Sequence, residues 1–374
     1  MAGIYIHIPF CRKACHYCDF HFSTQLGLQD KMVSAMEREL DLRKDYLKGQ
    51  GISTLYFGGG TPSVLTKEEL GRLISRVKSN FELSTELEIC LEVNPDDIDA
   101  ERLEAWKSLG VNRLSIGIQS FRQEDLTFFN RSHTAEQALE GLKLARKYFD
   151  NITADLIYGV QDMSLKTWEQ NVQTLIDLDI PHISAYALTV EEKTALDHFI
   201  KSGKAAPLDE QLAKTHFEHL IALLKKRGFE HYEISNFAKP GFRSRHNSAY
   251  WQGAHYLGIG PGAHSFNGKT RSWNVSSNPK YIKSIDQGIL PLETEVLALK
   301  DRFNEYVMTG LRTDFGIDKS YVLKELGEEV LGYLELNIEK YLAQNLISIQ
   351  KGRYILNEKA RFRADGIASD LFWV

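Results

Sequence analysis

The sequence predicts an α/β fold: a partial parallel (β/α) barrel over residues 1–236, an irregular connection over 237–300, and a small C-terminal helical, winged-helix-like domain over 301–374. Three observations lead there. Strand-like and helix-like periodicities alternate from residue 4 to about residue 234, and repeated βα units of this length imply a parallel sheet with right-handed crossovers. Polar or small residues recur at the carboxyl ends of successive strand candidates, where a barrel gathers its active site. Beyond residue 300 helical periodicity resumes and gives way to a hairpin, Leu346–Gln350 and Arg353–Leu356 about Lys351-Gly352.

The elements follow in order. The apolar run Ile4–Phe10 is the first strand candidate, and a cysteine-rich loop follows it at once. Met32, Ala35, Met36, Leu40 and Leu47 lie among charged residues and predict an amphipathic helix over 30–48, ended by Gly49 and Gly51. Ser53–Phe57 runs into Gly58–Pro62, after which Thr66 and Glu69 have capping-box spacing. Strands are expected at 87–92 and 112–118, with a helix at 99–109 between them. Thr134 and Gln137 repeat the capping box before a helix at 135–149. Strands at 152–158 and 182–188 flank a helix at 164–178, and a helix at 210–227 leads to a short seventh strand candidate, 231–234. In the strand at 112–118, Leu114, Ile116 and Ile118 share one face, while Ser115, Gly117 and Gln119 share the other. Small residues there leave interior room for a ligand.

A chain of 374 residues accommodates a barrel-sized domain and a smaller one. Its composition, 43% hydrophobic and 25% charged, is that of an ordinary globular protein, and a net charge of -5 gives no support for general nucleic-acid affinity. No signal-peptide pattern and no run of about 18 apolar residues is found, so a cytoplasmic protein is expected, with peripheral membrane contact left open. Four cysteines placed three plus one do not resemble a disulfide framework. Oligomeric state is not legible.

Cys11, Cys15 and Cys18 lie within eight residues. Thiolates so crowded repel one another and oxidise readily, so the loop makes physical sense as a metal or cluster site. A tetrahedral zinc would need a fourth ligand from elsewhere, whereas a 4Fe-4S cluster on three cysteines leaves one iron open. Asp19 after Cys18 disfavours a c-type haem attachment, which needs histidine there. Cys90, between Ile89 and Leu91, is expected in the core.

The spacing C-x3-C-x2-C after the first strand of a βα repeat resembles the signature of the radical S-adenosylmethionine (SAM) superfamily. The resemblance implies a barrel of radical SAM type, a 4Fe-4S cluster on Cys11, Cys15 and Cys18, and SAM bound through its amino and carboxylate groups to the open iron. It narrows on Tyr5–Cys11, Gly58–Pro62, Glu92–Pro95, Arg113–Phe121 and Gly258–Ala263, which look like the family containing oxygen-independent coproporphyrinogen III oxidase (HemN) and the haem chaperone HemW. By position in those motifs, SAM contacts fall on Tyr5, Tyr17, Gly59, Gly60, Thr61, Glu92, Gln119, Arg131 and Asp155. Arg131 suits a methionine carboxylate and Asp155 suits ribose hydroxyls.

Two branches of this family differ in function. The oxidase pattern places a further cysteine two residues past the third, where this chain has Phe20, and it begins with a longer N-terminal extension. The chaperone branch carries His-Asn-x-x-Tyr-Trp, matched by His246-Asn247-Ser248-Ala249-Tyr250-Trp251. The resemblance therefore implies haem as bound cargo, with His246 as an axial ligand, Tyr250 and Trp251 over the porphyrin face, and delivery to acceptor haemoproteins. His231, His255 and His264 are competing ligands; His216 and His219, three apart on a helix, are expected in solvent. The enzymatic alternative is coproporphyrinogen oxidase, which decarboxylates propionate side chains by radical chemistry. A third alternative, a zinc-bearing winged-helix nucleic-acid binder, lacks a fourth ligand and a basic face.

Overall fold

Six strands form the parallel series: β1 (Ala2–Ile8), β2 (Ile52–Gly59), β3 (Leu83–Val93), β4 (Arg113–Gln119), β5 (Ile152–Tyr158) and β6 (His182–Ala187). Each pairs in parallel with the next in a computed structural model that describes residues 1–374. The alternation on β4 is realised as expected. Leu114, Ile116 and Ile118 are fully buried, while Ser115, Gly117 and Gln119 border an interior cavity. The helices on the outer face start where their sequences say. Thr66 with Glu69 and Thr134 with Gln137 both form complete capping boxes, opening Lys67–Asn80 and Ala135–Tyr148.

The segment expected as a seventh strand behaves differently. It forms β7 (Glu230–Glu233), which turns back antiparallel onto β8 (Asn236–Ala238), and β8 is antiparallel to β6. A tight reversal at Ile234-Ser235 leaves no length for the crossover helix that parallel pairing requires.

The segment 237–300, expected to be irregular, is ordered. It holds a helix (Arg245–Trp251), β9 (Tyr256–Ile259), β10 (His264–Phe266), β11 (Thr270–Asn274), a helix (Asn278–Asp286) and β12 (Leu292–Val296). β9 lies parallel against β1, and β10, β11 and β12 follow antiparallel. The result is one open twelve-stranded sheet in the order β12-β11-β10-β9-β1-β2-β3-β4-β5-β6-β8-β7. Strands of three to five residues joined by glycine turns carry too short an alternation to read from sequence.

A buried carboxylate fastens this extension to the barrel. Glu39, on the helix Gln29–Leu42, is fully buried. It accepts from Gly260 N (2.9 Å), Asn274 Nδ2 (2.8 Å), Tyr281 Oη (2.5 Å) and Arg43 Nη1 (3.3 Å). Four donors compensate the desolvation of one carboxylate, and Arg43 in turn donates to Gly258 O and Ser265 Oγ.

The C-terminal part has a hydrophobic core of its own, separate from the one that unites the sheet and its helices. Its order is that of a winged helix: Leu299–Leu311, β13 (Ile317–Asp318), a short helical stretch at 319–326, Glu328–Ala343, the hairpin β14 (Ile347–Gln350) and β15 (Arg353–Leu356), then Ala364–Asp370. It attaches along the outer edge of β7. Ile234 N donates to Arg312 O and Asp314 N donates to Tyr232 O, both at 2.9 Å, and Arg243 bridges Glu230 and Asp314. No helix is long and apolar enough to cross a membrane.

Candidate functional site

The parallel strands deliver their carboxyl ends to one cavity of about 400 Å³. Cys11, Cys15, Tyr17, Cys18, Gly59, Gly60, Thr61, Glu92, Gln119, Arg131 and Asp155 all border it. Eleven residues expected at one site from six separate stretches of sequence therefore do meet. Tyr5 lies one layer deeper in the barrel. Its ring stacks on Tyr56 at 6.0 Å between centroids, and its hydroxyl is 3.1 Å from His7 Nδ1.

The cysteine loop is held from both sides. Thr61 Oγ1 donates to Cys11 Sγ at 3.4 Å, and Arg131 Nη1 donates to Cys15 Sγ at 3.4 Å. Burial pushes the Cys11 thiol up to about 11 and the Cys18 thiol up to about 12, so without a nearby cation both keep their protons. No three His, Cys, Asp or Glu side chains converge closely enough to share a single ion. That geometry does not favour one tetrahedral zinc; a cluster that offers each sulfur its own iron tolerates wider spacing.

Glycine is required at the end of β2. Gly59 has φ +112°, and a Cβ there would lie 2.6 Å from His7 Nδ1. A Cβ on Gly60 would lie 2.7 Å from Phe10 O and 3.0 Å from Cys11 Sγ. Backbone thus borders the cysteine loop at a distance no side chain permits. Gln119 has φ +66°, in the left-handed region, next to a register shift between β4 and β5. Strain of this kind in a non-glycine residue collects at functional positions, and here it places Gln119 on the cavity wall.

Arg131 is the most connected group in the cavity. Nη2 donates to Asn94 Oδ1 (2.8 Å) and Gly117 O (2.9 Å), and Nη1 lies 3.5 Å from the Tyr17 hydroxyl. Its buried Nε has no partner. Opposite it in charge are two carboxylates. Burial pushes Glu92 up to about 7, Asp155 adds to the shift, and the Tyr56 hydroxyl opposes it by donating at 2.7 Å. Burial likewise raises Asp155 to about 7 against the Ser184 and Ser115 hydroxyls and the charge of Arg131. An unpartnered guanidinium N–H and two inward acceptors make the cavity suited to an amphoteric, hydroxyl-bearing ligand. These donors, the glycine cradle and the three thiols fit an iron–sulfur cluster with SAM.

His246, Tyr250 and Trp251 are not brought together. His246 points from its helix into the amino-terminal end of the barrel, where Nδ1 is 2.8 Å from Thr54 Oγ1 and the ring stacks on Tyr56 at 4.9 Å. Burial lowers it to about 4, so it is neutral. Arg245 N and His246 N donate to Glu88, which seats the helix as a plug. Tyr250 and Trp251 face the other way, onto a second cleft of about 1230 Å³ between the sheet extension and the C-terminal part. Among the other histidines, His255 borders that cleft. His231 is stacked on Phe237 at 4.0 Å, and His264 is exposed beside Trp273. His216 is fully buried rather than solvated: its Nδ1 accepts from Gly159 N at 3.2 Å and its carbonyl from the Trp168 indole at 3.0 Å. Cys90 is in the core as expected.

Sequence reasoning missed Tyr56, Asn94, Ser184 and Tyr186. Ser184 and Tyr186 had a legible signal, since they occupy alternate positions on β6 like Ser115 and Gly117 on β4. Asn94 stands two residues past Glu92 by the same parity. Tyr56 had none.

The cavity and its surroundings match known proteins over nearly the whole chain. The model of the radical SAM superfamily matches residues 5–175, and that of the HemN C-terminal domain matches 297–363. A Bacillus subtilis protein described as heme chaperone HemW is 34% identical, with 96% of each chain covered. A Mycobacterium tuberculosis protein of the same description is 33% identical over 99% of this chain and 94% of its own. A mouse mitochondrial radical S-adenosyl methionine domain-containing protein 1 is 34% identical over 84% of this chain and 74% of its own. Among solved structures, coproporphyrinogen III oxidase (HemN) of Escherichia coli, a radical SAM enzyme, superposes with a TM-score of 0.85 at 25% identity, covering 99% of this chain and 90% of that one.

Proposed function

The chain belongs to the radical SAM superfamily and, within it, to the HemN/HemW family, and from that premise we propose that it is a haem chaperone. In this reading it holds a 4Fe-4S cluster and SAM at the barrel mouth and delivers bound haem to acceptor haemoproteins. The observation that carries it is the near-complete coverage shared with relatives described as heme chaperones, together with Phe20 at the cavity rim where the oxidase pattern has cysteine.

Cys11, Cys15 and Cys18 are the cluster ligands. On three sulfurs a cluster keeps an iron open to an outside ligand and supplies one-electron chemistry to SAM. The chain's own groups do the positioning. Thr61 and Arg131 donate to the sulfurs and favour their thiolates. Arg131 meets the SAM carboxylate with its free Nε, and Asp155 and Glu92 accept from hydroxyl or ammonium groups deeper in the barrel. Tyr17, half-buried over the loop, limits access of water to that end of the cavity.

A second reading, oxygen-independent coproporphyrinogen III oxidase, is favoured by the structural likeness to HemN. One experiment separates the two. The protein is reconstituted anaerobically, then haem binding and porphyrinogen decarboxylation are measured with SAM and a reductant. Haem binding without protoporphyrinogen formation is expected; turnover to protoporphyrinogen would sink the chaperone reading. Cys11→Ser is expected to lose most of the iron, and a full iron complement in that variant would remove the three-cysteine assignment.

A further inference from the structure

We infer that Arg12, next in the chain after Cys11, is a positioning residue: through Asp97 it ties the loop Cys11–Cys18 to the turn that closes β3 and so sets where the sulfurs stand. This inference rests on the reading of that loop as a cluster site and deepens it.

Arg12 takes no part in the cavity, which neither it nor Asp97 borders. Its side chain is exposed, yet the guanidinium reaches a carboxylate that is 2% exposed. Nε and Nη2 both donate to Asp97 Oδ1, at 3.1 and 2.7 Å, and to nothing else. Asp97 is itself firmly seated. It ends the turn Pro95–Asp97, its Oδ2 accepts from Ser63 Oγ at 2.7 Å, and its Oδ1 accepts from Arg102 Nη1 at 2.9 Å. A buried carboxylate satisfied from several elements at once is a fixed point to which a loop can be fastened.

The loop lacks fixed points of its own. Within Cys11–Cys18 only three amides donate to backbone: Cys11 to Ser23 O, His16 to Phe129 O and Cys18 to Cys15 O. The amides of Arg12, Lys13, Ala14 and Cys15 donate to none. Side chains hold that stretch instead. Lys13 Nζ donates to Arg131 O at 3.2 Å, and Ala14 O accepts from Asn130 Nδ2 at 2.7 Å. Arg12 alone of these contacts joins a charge to a buried opposite charge, the stronger kind of hydrogen bond.

The same turn holds the other half of the site. Asn94 accepts from Arg131 at 2.8 Å, and Asp96 accepts from Ser132 Oγ at 3.0 Å. Loop and guanidinium are thereby referenced to one rigid piece of backbone. Without Arg12 only the loop is released, because Asp97 keeps Arg102 and Ser63.

Arg12→Gln in the full chain tests this. In reduced, iron-free protein the thiols are exposed to a small alkylating reagent and followed by mass spectrometry. Cys11 is expected to react about tenfold faster than in the unmodified protein, while Cys90, 1% exposed in the core, stays as slow as before. In anaerobically reconstituted protein, iron release to a chelator is expected to quicken by a similar factor. Arg12→Lys, which keeps the charge and a donor, should fall between the two proteins. Arg12→Gln combined with Asp97→Asn should match the faster single variant, as for two groups that act through one contact. If Asp97→Asn exposes Cys90, the Arg12 variants decide alone. Unchanged Cys11 and iron-release rates in Arg12→Gln would overturn the inference, as would Cys90 quickening along with Cys11, which marks general loosening. Should the unmodified protein take up no iron, the cluster reading fails, and the alkylation rates still decide whether Arg12 holds the loop.

Discussion

At the scale of single residues, Arg131 and the two interior carboxylates decide what the barrel mouth can hold. Arg131→Lys keeps the charge but loses the fork that spans Cys15, Asn94 and Gly117. It is expected to weaken SAM binding by about 10- to 100-fold with iron content intact, measured by calorimetry on reconstituted protein. Unchanged affinity would remove Arg131 from the SAM site. Glu92 gives a pH signature in ligand-free protein. Its folded pKa, about 7, lies above the unfolded carboxylate range, so the native state binds the extra proton. The corresponding stability is full below the unfolded pKa and is lost as pH rises through about 7. Glu92→Gln should therefore flatten the decline of the urea midpoint between pH 5 and 8. An identical decline in both proteins would show that Glu92 does not titrate in this window.

At the scale of elements, the turn after β2 carries the tightest geometric demand. A methyl group at Gly60 meets backbone oxygens of Phe10 and Ile8 at 2.7 and 3.0 Å, which cannot swing aside, and the Cys11 sulfur at 3.0 Å. Gly60→Ala is expected to cost about 1–3 kcal/mol of stability and to reduce iron uptake by moving Cys11, checked by chemical denaturation and iron analysis. A variant of unchanged stability and iron content would mean that the turn has slack. The helix Gln29–Leu42 works differently. Its apolar face was plain from Met32, Met36 and Leu40, whereas the role of Glu39 was not, because a charged residue in an amphipathic helix reads as solvent-facing until its distant partners are known. Gly260, Asn274 and Tyr281 stand more than 220 positions away.

At the scale of the whole molecule, the parallel strands, their order and the residues at their carboxyl ends were legible because each βα unit is long enough to show its period. The extension over 237–300 was not. Its strands are too short to alternate, and the place of β9 beside β1 is supported by the buried Glu39 network rather than by local pattern. The same limit explains His246. A motif read along the chain places His246, Tyr250 and Trp251 together, but His246 opens the helix against Thr54 and Tyr56 while Tyr250 and Trp251 close it one turn later against the cleft. Three-dimensional placement therefore splits the motif between the barrel floor and an outer cleft.

An open sheet also has two margins. β7 presents its outer backbone to Arg312, Thr313 and Asp314 of the C-terminal part, which bridges it at Glu233 and covers that end of the margin. β12 has no neighbour beyond it, and Glu293, Thr294, Glu295 and Val296 are all exposed there. Unsatisfied strand backbone is adhesive toward a second copy, and two carboxylates on so short a strand make such a meeting repulsive. Their removal turns a boundary into a seam: Glu293→Thr with Glu295→Val is expected to self-associate with concentration in sedimentation velocity. A variant that stays at the size of the unmodified protein would show that something other than charge keeps this margin apart.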